Sequence, residues 1–251
     1  MTSARTVTSQ SRRTLILVQD FAQNVPAAFA LLGSNARDKV ALRITGGCSG
    51  MSESDKSDML RFFELGMRGF AGVCWSGGTR AINQDGSINL MVTEVPGVIA
   101  SSNPDCVALG TAPRTDIMSL RGESHLVFDE NGATLNPSHE AILIVQDGAD
   151  GRLGWDGDLR AYTQLMEQWK TYARFSALGV IAWNGGSVTK KEIINSAEHG
   201  WSTILVAGSG RAADEMIADS NFISQSNVFI VHKDDPQNLR ATLINLGFIK
   251  E

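Results

Sequence analysis

Short, nearly continuous runs of apolar and β-branched residues recur along this chain, separated by longer stretches with helical spacing, and that rhythm admits few folds. A strand that is apolar on both sides must be covered on both faces, which is the condition of a parallel sheet built from βαβ units. About seven strands are expected, from candidates at 14–18, 40–45, 69–75, 105–110, 141–146, 178–183, 203–207 and 228–231. Helical spacing falls between them at 52–66, 158–174, 189–199, 210–219 and 236–246. The fold class is therefore α/β, a mainly parallel sheet with helices on both faces. Residues 76–87, rich in Gly, Asn and Asp, read as a loop at the sheet edge, and 124–137 reads as a small β-hairpin insertion turning at Glu130-Asn131-Gly132.

No internal repeat or linker divides the chain, and 251 residues suit one α/β domain, expected at 14–251 behind a loose, Ser/Thr/Arg-rich tail at 1–13. With 22 Lys plus Arg against 27 Asp plus Glu, the net charge is −5, which disfavours nucleic acid as a partner. Cys48, Cys74 and Cys106 are odd in number and stand far apart, as in a protein of a reducing compartment. No apolar stretch reaches the roughly 18 residues of a membrane span, and the basic start lacks a signal-peptide hydrophobic region, so a cytoplasmic location is expected. His125, His139, His199 and His232 are scattered without metal-ligand spacing, so no metal is expected, and no Gly-x-Ser-x-Gly nucleophile elbow is present.

The informative feature is a set of three glycine loops, each at the carboxyl end of an expected strand. These are Thr45-Gly46-Gly47-Cys48-Ser49-Gly50-Met51, Asn184-Gly185-Gly186-Ser187-Val188, and Gly208-Ser209-Gly210-Arg211-Ala212-Ala213. Glycines let the backbone approach a ligand, and the free N–H groups of a following first helical turn favour an anion. Each loop taken singly is equally compatible with a tight βα turn that holds nothing. Three of them at strand ends, where open α/β sheets place ligands, point to a phosphate-bearing ligand. The third also matches Gly-x-Gly-x-x-Ala with Asp234 behind the next strand, the layout of a dinucleotide fingerprint. It comes too late in the chain for a full nicotinamide-binding domain, which leaves a dehydrogenase as a weak alternative. Arg211 offers a planar fork for phosphate, with Asp214 either orienting it or forming an ordinary helix-start ion pair with it. Asp147 is either a ribose acceptor or a turn residue, and Trp75 and Trp183 either stack on a base or pack at strand ends.

Taken in order, these loops, the segment 107–114 ending in Arg114, the Leu-Asn-Pro-Ser-His at 135–139 with the strand that follows it, and the Gly-Ser-Gly-Arg-Ala-Ala-Asp at 208–214 resemble the SLOG superfamily. More narrowly they resemble its LSDAT branch, shared with the amino-terminal cytosolic region of TRPM channels, over roughly 14–220. That resemblance implies a modified Rossmann-like fold. It also implies a module that senses a nucleotide-derived ligand of NAD or ADP-ribose type, in prokaryotes often within conflict or antiphage systems, with an effector in trans or by fusion. Carried over by position, Gly46, Gly47, Ser49, Gly50, Gly185, Gly186, Gly208, Ser209, Gly210 and Arg211 match the family loops. Thr45, Met51, Trp75, Arg114, Asp147 and Asn184 complete the expected contact set.

The same superfamily holds the Lonely-guy phosphoribohydrolases, whose Pro-Gly-Gly-x-Gly-Thr-x-x-Glu resembles 184–192 here. The two glycines, Thr189 and Glu192 are kept, whereas Asn184 and Val188 stand in place of the proline and the third glycine. The partner arginine is unmatched, since Arg174 is followed by Phe175. Glu192 is then either a catalytic carboxylate of an N-glycosidic hydrolase or a solvent-facing residue beside Lys190 and Lys191. Ligand binding without turnover is the leading expectation. A structural or assembly module is a third, and homo-oligomers suit all three.

Overall fold

The computed structural model of the chain describes residues 3–8, 13–20, 38–83, 85–113, 134–146, 155–170 and 176–251. Strands β1 (Ser3–Thr8), β2 (Arg13–Asp20), β3 (Val40–Gly47), β4 (Val73–Gly77), β7 (Val107–Pro113), β9 (Ala141–Gln146), β10 (Ala177–Asn184), β11 (Ser202–Ala207) and β12 (Val228–His232) form one sheet in the order β1-β2-β9-β7-β4-β3-β10-β11-β12. Every neighbouring pair is parallel except the outermost, β1 with β2. The expected sheet is thus present. The stretch expected as a loose tail instead carries β1, which pairs antiparallel with β2 from Ser3↔Val18 to Thr8↔Arg13.

Side-chain alternation along the central strands divides the interior. From β3, Val40, Leu42 and Ile44 join one cluster with Phe62 and Phe63 of α1 (Glu53–Gly66), Ile99 of α2 (Val95–Ser102) and Leu239 and Leu243 of α7 (Pro236–Asn245). Ala41 faces the other way, with Trp75, Leu109 and Leu143, under Tyr162 and Leu165 of α3 (Trp155–Gln168). On that second face Ala182 and Leu205 are covered by Ile193 of α4 (Ser187–Glu198) and Met216 of α5 (Arg211–Ile217), with Phe222 of α6 (Ser220–Ile223) beside them. Burial on both faces is what the apolar strand pattern requires.

Two departures from the sequence reading have local causes. Residues 76–87 are not one loop: Thr79–Ile82 is β5, after which the Asn83 N–H donates to the Ser87 carbonyl oxygen at 2.8 Å, and β5 pairs with β6 (Ile88–Asn89). β5 also pairs with β8 (Thr134–Leu135), making a small three-stranded sheet. The hairpin expected at 124–137 therefore has its last residues in that sheet, and its turn lies outside the described residues. Second, α2 reads poorly as a helix because Val, Pro, Gly and Ser have low helical propensity. Pro96 sits in its first turn, where no N–H is needed, and burial of Val95, Ile99 and Ala100 supplies what propensity lacks. Gly97 is required there, since a Cβ would collide with Ser138.

His139, between β8 and β9, is fully buried, and that burial pulls its pKa from 6.5 down to about 4 against an opposing backbone bond at Asn136. A histidine depressed in this way stabilises the fold above its unfolded pKa, and the contribution fades as pH falls, because the unfolded chain takes the proton first. Denaturation midpoints taken from pH 7 to pH 4 are expected to lose roughly 3 kcal/mol through this one group. His139→Asn should flatten the curve over that window; equal slopes in both proteins would show that His139 is not the cause.

Candidate functional site

Strand order alone locates a crevice. From β3 the chain moves through α1 to β4 on one side, and from β10 it moves through α4 to β11 on the other, so the sequence of strands reverses between β3 and β10. Helices α1 and α4 leave to opposite faces, and the loops ahead of them part. Gly46 stands opposite Trp183 in this pair, and a Cβ on it would collide with the Trp183 carbonyl oxygen. A side chain at 185 would meet Thr189 in the same way, and Gly185 has φ +95°. These glycines allow two backbones to close up under the crevice.

The second and third loops are bonded to each other. Ser209 Oγ accepts the Asn184 N–H at 2.8 Å and donates to the Val206 carbonyl at 2.6 Å. The Ala212 N–H reaches the Gly185 carbonyl at 3.4 Å. Asp214 does not orient Arg211: its carboxylate accepts the N–H groups of Gly208 at 2.8 Å and Gly210 at 2.9 Å, closing the loop on itself. The Arg211 guanidinium lies over Gly186 instead, with one terminal nitrogen 3.0 Å from where a Cβ would stand. Of the non-glycine residues with positive φ among the described ones, two are here, Asn184 at 54° and Arg211 at 44°. Such backbone costs free energy and persists where its surroundings over-determine it, commonly at binding sites.

Above these loops lies a cleft of about 310 Å³, walled by Ser49, Gly50 and Met51, by Asp55 and Asp58 of α1, by Trp183 and Asn184, by Gly208 to Arg211, and by Lys233 and Asp234 after β12. Of the expected contacts, Ser49, Gly50, Met51, Asn184, Gly208, Ser209, Gly210 and Arg211 come together on it. Thr45, Gly46, Gly47, Gly185 and Gly186 shape the loops without lining it. Arg114 and Asp147 lie outside the described residues. Two residues of the cleft wall, each 3% exposed, carry a buried polar atom without a hydrogen-bond partner among the described residues, the Nε1–H of Trp183 and the Oδ1 of Asn184. Arg211 and Lys233 form no ion pair among the described residues. Asp55 is held by Ser52 through its side chain and backbone, which lowers its pKa, and Lys233 adds to that effect.

Two expected site residues are elsewhere. Trp75 is 1% exposed and packs on Trp169, ring centroids 4.6 Å apart, because its place in β4 points it into the core on the α3 face. Glu192 faces neither solvent nor the cleft: at 2% exposure it meets Arg43 of β3, with an oxygen 2.8 Å from the guanidinium. Arg43 also donates to Thr111 Oγ1 at 3.0 Å, lies 5.0 Å from the Tyr162 ring centroid, and is flanked by Trp75 at 5.8 Å. Sequence reasoning missed Arg43, although an arginine inside an apolar strand run signals a buried counter-ion. It also missed Asp55, Asp58 and Lys233, of which the last follows from applying the strand-end rule to β12 as well.

Two substitutions test this layout. Glu192→Gln leaves Arg43 buried beside a neutral amide and should cost about 3 kcal/mol in urea unfolding, against nearly nothing for an exposed carboxylate. Arg211→Gly relieves a left-handed backbone and should leave stability unchanged or raise it by up to about 1 kcal/mol. Arg211→Val should lower it, and a reversed order of these two midpoints would refute the strained position.

A family model described as SLOG in TRPM, prokaryote, matches residues 39–241. A search of curated proteins finds no match. Among solved structures, the chain is similar to the molybdenum cofactor binding protein of Rippkaea orientalis, at 16% identity and a TM-score of 0.49, covering 83% of this chain and 98% of that one. It is also similar to the Moco carrier protein of Chlamydomonas reinhardtii, at 14% identity and a TM-score of 0.49, covering 82% and 96%.

Proposed function

Because the chain belongs to the prokaryotic SLOG-in-TRPM family, we propose that it is a ligand-sensing module whose cleft takes a nucleotide-derived small molecule. The class runs from nucleoside monophosphates to NAD- and ADP-ribose-type signals. The observation that carries this reading is Arg211, which sits at φ 44° with its guanidinium over Gly186, on a cleft whose wall holds the unpartnered amide oxygen of Asn184. A cation without an ion pair among the described residues, near the start of a helix that has no side-chain cap, is suited to phosphate. The buried acceptor next to it calls for a hydroxyl or amino donor such as a ribose or base carries.

Binding without turnover fits better than hydrolysis, since the Glu192 carboxylate is engaged by Arg43 and does not line the cleft. The wider proposal is a sensor in a prokaryotic conflict or antiphage system, working in the cytoplasm as a homo-oligomer and passing occupancy to an effector in trans or by fusion. No helix among the described residues is long and apolar enough to cross a membrane, and none of their His, Cys, Asp and Glu groups gathers as a metal site.

A thermal-shift series with nucleoside mono- and diphosphates, NAD, ADP-ribose and its cyclic isomers, followed by product analysis, tests this reading. A concentration-dependent rise in melting temperature with the ligand intact, lost in Arg211→Ala, is expected. Release of base or ribose phosphate would move the assignment to an N-glycosidic hydrolase. No shift with any nucleotide would leave an assembly role.

A further inference from the structure

The two edge strands of the large sheet differ. At one end stands β1, whose Ser3-Ala4-Arg5-Thr6-Val7-Thr8 is mostly polar and carries a charge. At the other stands β12, Val228-Phe229-Ile230-Val231-His232, which holds no Lys, Arg, Asp, Glu or Pro and keeps unbroken register with β11 from Thr203↔Val228 to Ala207↔His232. Charge, proline and bulges are the usual protections of an edge strand, and β12 has none of them. Ile230, at its centre, is 42% exposed, one of three large apolar side chains so exposed among the described residues.

The backbone of this edge is open in a particular pattern. Asn227 accepts the Thr203 N–H at 2.8 Å and Lys233 donates to the Ala207 carbonyl at 3.0 Å, so by alternation 227, 229, 231 and 233 face β11 while 228, 230 and 232 face outward. Local turns take two of the outward groups: the Val228 N–H donates to the Gln225 carbonyl at 3.1 Å, and the His232 carbonyl accepts the Asp235 N–H at 2.9 Å. Left without a hydrogen-bond partner among the described residues are the Val228 carbonyl, both groups of Ile230 and the His232 N–H. These two acceptors and two donors are self-complementary about a two-fold axis at Ile230. In an antiparallel pair centred there, Ile230 exchanges both bonds with the partner's Ile230, and each His232 N–H donates to the partner's Val228 carbonyl. The remaining bond of such a ladder, from the Val228 N–H to the partner's His232 carbonyl, is the one that the turns have already closed at both ends, so the pairing uses every open group and no other.

We infer that the outer edge of β12 is the surface at which two copies of this chain join, antiparallel across a two-fold axis at Ile230, so that their sheets run on as one. Side chains agree with the backbone. In a pair that exchanges both bonds the Cα atoms stand about 5.5 Å apart, so the two Ile230 side chains lie against each other on one face and cover apolar surface that the single chain exposes. Charge is matched as well: the same register brings Lys233, Asp234 and Asp235 of one copy alongside the uncharged Asn227, Ser226 and Gln225 of the other, and no like charges meet. A two-fold pair is closed, and it occupies an edge that would otherwise invite open-ended association. Lys233 and Asp234 also wall the cleft, so the interface ends at its rim. The inference rests on the homo-oligomer of the functional proposal, to which it gives a surface, and is independent of the ligand that the cleft takes.

Sedimentation velocity of the full chain over a dilution series, with amide exchange followed by NMR, tests it. A dimer that dissociates on dilution is expected, with the Ile230 and His232 amides exchanging about tenfold or more slowly in the dimer than in the monomer. Ile230→Lys sets two ammonium groups side by side, and Ile230→Pro removes an N–H that faces outward and bonds nothing within its own chain. Each should give a monomer with the far-ultraviolet circular dichroism of the parent, whereas Ile88→Lys, at an exposed isoleucine of β6, should leave the dimer intact. Amide exchange in the unsubstituted chain decides the matter whether or not either variant folds. A chain that is monomeric at every concentration overturns the inference and the homo-oligomer with it. A dimer that survives both Ile230 variants, or that leaves the Ile230 and His232 amides unprotected, overturns the β12 interface alone, and an open-ended polymer overturns the two-fold pairing. Each of these results leaves the nucleotide reading to its own test.

Discussion

The parallel pairing of β3 with β10 is the constraint on which the rest depends. The two strands run in register from Val40↔Ala177 to Gly47↔Asn184, deep in the sheet, and there the order of strands reverses. Right-handed crossovers then oblige α1 and α4 to leave on opposite faces, so their loops separate and a crevice opens without any residue dedicated to making it. What the residues supply is closeness. Without a side chain at 46 the two backbones meet, and without one at 185 the chain turns straight into Thr189 and α4.

Electrostatics then assigns different work to charges that look alike in composition. Arg43 and Glu192 neutralise each other at 2.8 Å beneath α4, joined by Thr111 and the ring of Tyr162, whose hydroxyl also reaches the Glu192 carbonyl at 3.3 Å. Such a pair adds little net stability over an apolar substitute, yet it penalises any placement of α4 that would separate the two. It therefore fixes where the uncapped start of that helix ends up. Arg80 and Glu94 act similarly for the small sheet, through two bonds of 2.9 and 2.6 Å. Arg211 and Lys233 line the cleft without such partners among the described residues, on the same walls as Asp55, Asp58 and Asp234.

Much of this was legible before any coordinates. Strands buried on both faces announce themselves by unbroken apolar runs, and the glycine loops by their place behind those runs. Legibility failed where the cause was non-local. α2 forms from residues with poor propensity because Ser138 and the sheet press on it. β1 emerges from a polar stretch because β2 offers a free edge. Trp75 and Trp183 both stand near strand ends, yet one faces the α3 core and the other reaches the cleft wall, a distinction set by which side of the sheet each side chain faces.

The amino-acid sequence by itself determined the fold class, the parallel order of βαβ units and the three glycine loops, because periodicity and the conformational freedom of glycine are local properties that survive in one dimension. Tertiary structure alone decided which loop amides stay open and which are closed by Asp214 or by the Ser52–Asp55 box. It alone decided that Glu192 is answered by Arg43, 149 residues away in the chain, and that Lys233 comes to face Asp55. Whether a polar group is free or taken depends on what the fold brings within about 3 Å of it, and no pattern along the chain encodes that distance.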